Sequence, residues 1–356
     1  MTSETEPSIA GIEAGHRKDS NANHARISAA LETIGCEHSF TRFHPCPKLE
    51  GFRGRAHFSI EPRQDTPQLF GVDPRTGAAP FEETQWILPK FARAIVRRIH
   101  DRILQSDSFP AINGFDLRSA HGRTECHVSL TAQKAQEKDY APLGESLLSE
   151  IPELTGLAIP SKGLELGATF LNHSLLDHEI EQHYSAFFQT NLHLTPALAA
   201  AVQKALGTLP INQLIDLYCG VGLHSIPAAT NAARVIGADN HPGAIRSALK
   251  NVGRDRLDHA AYILESADRF AASHTSSAGA AVILNPPRAG CSEQVIRSVA
   301  AWRPERIVNV SCCLETHLDN LRLWRKLGWL PQTIEAFDMF PFTRFVETVT
   351  LLRREN

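Results

Sequence analysis

The stretch "QLIDLYCGVGLHSIPAATNAARVIGAD", residues 213–239, decides the fold. A short apolar run ends in two closely spaced glycines, Gly220 and Gly222. A small-residue segment of helical character follows, and then a second apolar run that ends in Asp239. Strand, tight turn, helix, strand is the pattern of a crossover between parallel strands. The glycines let the backbone turn sharply beneath a ligand. The spacing is not that of a dinucleotide fingerprint, because Ser225 stands where a third glycine belongs. The segment therefore also fits a generic strand–turn–helix unit.

Reading outward, the alternation continues to the end of the chain. "HPGAIRSALKNV" (241–252) is helical, "AAYILE" (260–265) and "GAAVILN" (279–285) are strands, and "SEQVIRSVAAW" (292–302) is a helix. "RIVNVS" (306–311) is a strand, and "LETHLDNLRLWRKLG" (314–328) a helix with Leu314, Leu318, Leu321 and Leu327 along one side and Gly328 as its cap. Strands alternating with helices predict a mostly parallel, doubly wound α/β sheet over 176–356. The closing pair "LPQTIEAFDMF" and "RFVETVTLLRR" predicts an antiparallel edge strand.

Residues 25–175 read as a smaller α+β domain. "FRGRAHFSIE" (52–61) alternates as a half-buried strand, 87–104 carries helical spacing with Lys and Arg opposite the apolar face, and 113–120 pairs with 124–132 as a hairpin. Residues 1–24 lack apolar periodicity and read as a disordered tail.

The net charge of −3 gives no global basic signal for nucleic acid, although a local groove on such a chain can still be basic. Seven scattered cysteines without a CxxC pair suit reduced thiols, and no zinc site, iron–sulfur cluster or other metal is expected. No apolar run approaches the roughly 18 residues of a membrane helix, and the polar N-terminus has no signal core. A cytoplasmic monomer without a membrane partner is the expectation.

Six places carry chemistry. Gly220 and Gly222 form the turn already described. Asp239 either accepts from ribose hydroxyls of a nucleoside cofactor or caps the next helix. Asp268, after the third strand, either holds an adenine amino group or is a cap. In "ILNPPRAG" (283–290) the prolines form a stiff ledge on which a flat ring can stack, or simply break a loop; Asn285 is the polar end of its strand. In "SCCLET" (311–316) two adjacent cysteines precede a helix N-terminus, whose positive field lowers a thiol pKa. One of Cys312 and Cys313 is then a nucleophile, or the pair are small buried hydrophobes. Finally Glu347 lies within an apolar strand, either aimed into a site with a raised pKa or exposed on an alternating edge strand.

Taken in order, Phe187-Phe188-Gln189-Thr190-Asn191, "DLYCGVG" (216–222), "NPPRAG" (285–290), "SCCLET" (311–316) and "DMFPFTRFVE" (338–347) resemble the motif set of the RNA 5-methyluridine methyltransferases. The resemblance covers roughly 185–356 and reaches weakly to "GFRGRAHFSI". Without the N-terminal cysteines of the iron–sulfur members, the chain is more similar to the tRNA-type branch.

The resemblance implies a class I, Rossmann-like fold, S-adenosyl-L-methionine as cofactor, and tRNA or rRNA as partner. It implies that Cys312 adds to carbon-6 of a flipped pyrimidine and that Glu347 removes the carbon-5 proton after methylation. It places Gln189, Asp216, Gly220, Gly222, Asp239, Asp268 and Asn285 around the cofactor and the base edge, and Phe187, Pro286 and Arg288 on the substrate. The sequence departs from the family at Asn285 (Asp), Cys313-Leu314 (Asn-Pro) and Phe345 (His). The alternatives are a methyltransferase with a changed acceptor, a small molecule or another pyrimidine, and a non-catalytic RNA-binding relative. Arg53, Arg55, Arg97 and Arg98 are either phosphate contacts or a solvated face.

Overall fold

The computed structural model describes residues 9–63, 67–133 and 139–355, with side chains from residue 13 onward. The chain divides into two compact units. One comprises Lys48–Tyr184 and Gln189–His193, the other Ala14–Pro47, Ser185–Phe188 and Leu194–Asn356.

The chain opens with helix α1 (Ile9–Glu32) and strand β1 (Phe40–His44). Residues 9–24 are thus helical, which corrects the expected disordered tail; residues 1–8 lie outside the described residues. Periodicity missed the helix because its first half is held by polar contacts. His16 Nε2 lies 2.6 Å from Asp338 Oδ2, Asn23 Nδ2 donates to the Thr343 carbonyl at 2.9 Å, and Arg26 reaches the Arg344 carbonyl. Only farther along do Ile27 and Leu31 enter the apolar core of the larger unit.

The smaller unit carries β2 (Arg55–Glu61), β3 (Gln68–Asp73), β4 (Gly77–Pro80), α2 (Phe81–Thr84), α3 (Lys90–Gln105), β5 (Ile112–Ser119), β6 (Cys126–Ala132), α4 (Ala141–Glu150), β7 (Leu154–Ile159), β8 (Leu164–Gly167), β9 (Phe170–Leu175) and β10 (His178–His183). Seven strands form one sheet in the order β4-β3-β2-β5-β6-β7-β8, antiparallel except for β6 with β7, and β9 pairs with β10. The expected hairpin is β5–β6, with Phe115 opposite Leu130. Helix α3 buries Ile95, Val96, Ile99 and Ile103 and turns Arg97 and Arg98 to solvent.

The larger unit continues with α5 (Thr195–Leu206), β11 (Gln213–Leu217), α6 (Ser225–Ala228), β12 (Val235–Asp239), α7 (Pro242–Asp255), β13 (Ala260–Leu264), α8 (Ala267–Ser273), β14 (Ala280–Leu284), α9 (Glu293–Trp302), β15 (Arg306–Ser311), α10 (Leu314–Lys326), β16 (Trp329–Phe337) and β17 (Glu347–Arg354). Its sheet runs β1-β16-β17-β15-β14-β11-β12-β13. Strands β11, β14 and β15 are buried along their whole length, as strands covered on both faces must be. The order reverses at β11, where ligands bind in such sheets.

Two boundaries differ from the expectation. The antiparallel strand is β17, but it lies between β16 and β15, paired with both, rather than at the edge, and β1 pairs parallel with β16 outside them. Residues 25–47, expected in the smaller domain, therefore belong to the larger unit, together with residues 14–24 of the expected tail. A strand's sheet partner is set by distant residues, so no local pattern marks it. No helix among the described residues is long and apolar enough to cross a membrane.

Candidate active site

The carboxyl ends of β11 and β12 form a preorganised loop. Tyr218, Gly220 and Gly222 all have positive φ, 62°, 55° and 85°. A Cβ on Gly222 would lie 2.4 Å from Ile226 Cδ1, so this turn needs glycine for space as well as conformation. A Cβ on Gly220 would meet nothing within 4 Å, so that glycine opens onto free space. Asp239 Oδ2 accepts from the Gly220 N–H at 3.0 Å and Oδ1 from the His241 N–H at 2.8 Å. The cap of α7 is His241, whose Nδ1 accepts from the Ala244 N–H. Asp239 therefore ties the glycine turn to the end of β12 and is not the helix cap.

Asp216 lies beneath this turn, 1% exposed. Ser225 Oγ donates to its Oδ2 at 2.5 Å and also lies 2.7 Å from the Tyr262 hydroxyl. The other oxygen, Oδ1, is buried without a partner. Burial, opposed by the Ser225 hydrogen bond and reinforced by Asp239, pushes the Asp216 carboxyl up to about 7. Asp268 sits in the first turn of α8, whose cap is Ser266. Asp268 Oδ1 instead accepts from Ser292 Oγ, the cap of α9.

Beyond β14 the ledge is pinned to α10. Thr316 Oγ1 donates to the Arg288 carbonyl at 3.0 Å, and Asn320 Oδ1 accepts from the Cys291 N–H at 2.9 Å. Pro286 is buried and Pro287 exposed. Asn285 donates its backbone N–H to the Leu217 carbonyl, while its half-buried side-chain amide takes no partner among the described residues. The Arg288 guanidinium stands 4.2 Å over the Phe345 ring, a cation–π contact on one of the departures noted above.

Strands β15 and β17 bring the two remaining residues together. Ser311 pairs with Thr348 in antiparallel register; Cys312 directly follows the end of β15 and Glu347 begins β17, and the Glu347 charge acts on the Cys312 thiol. Glu347 is 3% exposed on an interior strand, which overturns the alternative of an exposed edge residue. Cys312 and Cys313 are half-buried, whereas the other five cysteines are buried. Burial, and next the Glu347 charge, push the Cys312 thiol up to about 11 against the opposing pull of Arg288. The lowered pKa expected from the helix N-terminus is thus reversed: desolvation and an adjacent carboxylate outweigh the helix field. Cys313 is the N-cap residue of α10, and its thiol donates to Glu315 Oε2 at 3.3 Å.

Several supporting residues carried no sequence signal. His317 on α10 is fully buried between Asn309 of β15, 3.2 Å from Nδ1, and Thr350 of β17, 3.0 Å from Nε2; burial lowers its pKa to about 4. His16, Asn23 and Arg26 of α1 hold residues 338–344, the loop leading to Glu347. Each of these needs a partner hundreds of residues away or on a different element, which spacing alone does not reveal. Phe187 is 59% exposed, unusual for an aromatic side chain. Gln189 is buried and belongs to the smaller unit, whereas Phe187 belongs to the larger.

Comparison with known proteins matches residues 166–355 to the model of the tRNA (uracil-5-)-methyltransferase family. An uncharacterized RNA methyltransferase of Halalkalibacterium halodurans is 31% identical over 223 residues, 62% of this chain and 48% of that protein. One from Listeria innocua is 33% identical over 190 residues, 53% of this chain and 41% of its own. The chain thus spans about half the length of these relatives. Among solved structures, the tRNA (uracil-54, C5)-methyltransferase of Pyrococcus abyssi, in complex with S-adenosyl-L-homocysteine, superposes with a TM-score of 0.71 at 22% identity, covering 95% of this chain and 83% of that one. That likeness establishes a shared fold.

Proposed function

The chain belongs to the tRNA (uracil-5-)-methyltransferase family, and on that premise we propose that it methylates carbon-5 of a uridine in tRNA or rRNA through a covalent cysteine adduct. The observation that carries the reading is that Cys312 directly follows β15 and Glu347 begins β17, the strand paired with it, and that the charges of Glu347 and Arg288 both act on the Cys312 thiol. Carbon-5 of uracil is a weak nucleophile until a group adds at carbon-6. A thiol and a base at one place are what that chemistry needs.

The reading fits a bound S-adenosyl-L-methionine. Asp216 Oδ1 is an orphaned acceptor, and Gly220 opens onto free space where a side chain would intrude. Asp216, Gly220, Gly222, Asp239 and Asp268 would hold the cofactor, with Gln189 assigned by the family pattern. When bound, the cofactor supplies an electrophilic methyl group. Cys312 gives up its proton and its sulfur bonds to carbon-6, while the ring π pair moves toward carbon-5 and O4. Once carbon-5 carries the methyl group, Glu347 takes the carbon-5 proton, the pair re-forms the ring double bond, and the thiolate leaves. Because the Cys312 thiol is neutral near pH 7, Glu347 is also suited to accept its proton at the outset, which it then releases to solvent before it takes the one from carbon-5. Pro286 and Phe187 offer flat apolar faces to a flipped base. Arg288 lies near the sulfur, with its charge shared by Phe345.

The test is transfer of labelled methyl to total RNA from a strain lacking the gene, with nucleoside analysis. 5-Methyluridine that vanishes with Cys312→Ala is the expected result. Cofactor binding with no label in RNA would refute it. A second reading, a changed acceptor base, is favoured by Asn285, which donates as well as accepts at the position where the family pattern has an acceptor only. 5-Methylcytidine as product would select it.

A further inference from the structure

We propose that the Phe345 ring and the Arg288 and Arg344 guanidiniums gathered on it form a clamp for a phosphate flanking the flipped nucleotide, so that the acceptor must arrive as a phosphodiester-linked nucleotide; this rests on the reading just given and deepens it. Arg288 stands 4.2 Å and Arg344 5.6 Å from the centre of the same ring. Both arginines are exposed and the ring is half-buried. Among the described residues, neither guanidinium makes an ion pair or a side-chain hydrogen bond, and the ring is what each rests on. Two like charges on one ring repel each other, and an exposed cation–π contact is a weak restraint. Their N–H donors therefore gather without a protein acceptor.

The acids of this region do not neutralise them. Glu315, whose carboxyl feels the Arg344 charge, accepts from the Cys313 thiol at 3.3 Å and pairs with Arg26 at 3.5 Å. Glu347 is buried, and its charge acts on the Cys312 thiol. The backbone that carries the arginines is fixed in both loops. The Arg288 carbonyl accepts from Thr316 Oγ1 at 3.0 Å, the Phe345 N–H donates to Thr343 Oγ1 at 3.1 Å, and Arg26 of α1 donates to the Arg344 carbonyl. What remains adjustable is the pair of charged side chains, and what they lack is an anion from outside the chain.

The place of the clamp identifies that anion. Arg288 belongs to the ledge at 285–290 and its charge acts on the Cys312 thiol, while Arg344 and Phe345 stand two and three residues before Glu347. A base turned out of its strand into this site keeps its flanking phosphates at the mouth. Guanidiniums match phosphate oxygens with a forked set of donors. Holding one such phosphate fixes the nucleotide relative to the sulfur. Phe345 stands where the family pattern has His. A phenyl ring offers both guanidiniums an uncharged π face, whereas an imidazole that takes a proton would repel them. A free base or nucleoside brings no phosphate and leaves both arginines unpaired.

The experiment compares Phe345→Leu with Phe345→Tyr in the full chain, each matched to wild type in thermal melting. The probes are labelled oligouridylate and the same oligomer with neutral methylphosphonate linkages, and affinity is measured from low to physiological salt. Phe345→Leu changes no charge, yet it should lower the slope of log affinity against log salt by about 0.7, the share of one single-strand phosphate. It should raise KM for RNA about three- to tenfold, more than it lowers kcat. Phe345→Tyr should keep both slope and KM. Arg288→Ala/Arg344→Ala should lower the slope by the same amount, about 0.7 and not twice that, because both arginines hold one phosphate. The methylphosphonate oligomer should bind wild type about tenfold more weakly and should not distinguish wild type from Phe345→Leu. A wild-type slope in Phe345→Leu or in the arginine double variant would overturn the clamp, as would equal losses in Phe345→Leu and Phe345→Tyr. If Phe345→Leu does not fold, the double variant of the two exposed arginines decides. If wild type transfers no methyl to RNA, the functional reading fails on its own, while the oligouridylate slopes still decide the clamp.

Discussion

The two halves of the large sheet's carboxyl edge treat their polar groups in opposite ways. At β11 and β12, Asp239 gives both oxygens to backbone N–H groups and Asp268 is taken by Ser292, so the glycine turn is fixed before any ligand arrives. At β14 and β15, the Asn285 amide has no partner among the described residues and Cys312 is a half-buried thiol without an activating cation close enough to win. All three departures from the family pattern, at 285, 313–314 and 345, fall on this second half. A cofactor-holding half must be rigid and tolerates little change. The half facing the acceptor is completed by the acceptor, so change there alters chemistry rather than folding.

The strongest way to break this contrast is Cys312→Ala. Methyl transfer should disappear, while cofactor affinity stays within about twofold, because the two halves do not share that side chain. Cys313→Ala should cost less than about threefold, its thiol being occupied with Glu315. Equal losses in both variants would remove Cys312 from the nucleophile role. Next in size is Glu347→Gln, which should slow turnover about 10²- to 10⁴-fold, the usual reach of a positioned general base. Single-turnover rates read this directly, and an unimpaired rate would place the base elsewhere.

Asp216→Asn sharpens the other half. Burial raises the Asp216 carboxyl to about 7, above the value near 3.8 that an unfolded chain gives it. The unfolded state therefore binds fewer protons than the folded state between about pH 4 and 7, and stability falls as pH rises through that window. In cofactor-free protein, the melting temperature of Asp216→Asn relative to wild type should climb across that range and level off above about pH 7. Cofactor affinity should drop. A difference flat with pH would mean that the carboxyl titrates normally.

The smallest expected effect belongs to α1. His16→Ala removes the contact with Asp338 and should lower kcat by about three- to tenfold through the loop before Glu347, leaving cofactor affinity unchanged. Partial recovery with His16→Gln separates a positioning role from simple loss of stability.

Much of this was legible in the residues themselves. Alternating apolar strands and amphipathic helices determine a doubly wound sheet, because the two periods, and the glycines between them, are local properties. The ordered motifs likewise single out Cys312, Glu347 and Asn285 from the chain, and the end of a predicted strand singles out Asp239. Tertiary structure alone decided the rest. It put β1 at the sheet edge and β17 inside it, made a helix of residues 9–24 through contacts with 338–344, and gave the cap of α7 to His241 rather than Asp239. It also reversed the pKa of Cys312, since a helix N-terminus is visible in sequence whereas the depth of a thiol and the charge across the next strand are not. Sheet order, burial and electrostatic neighbours are all set by residues far apart along the chain, and for that reason no local pattern contains them.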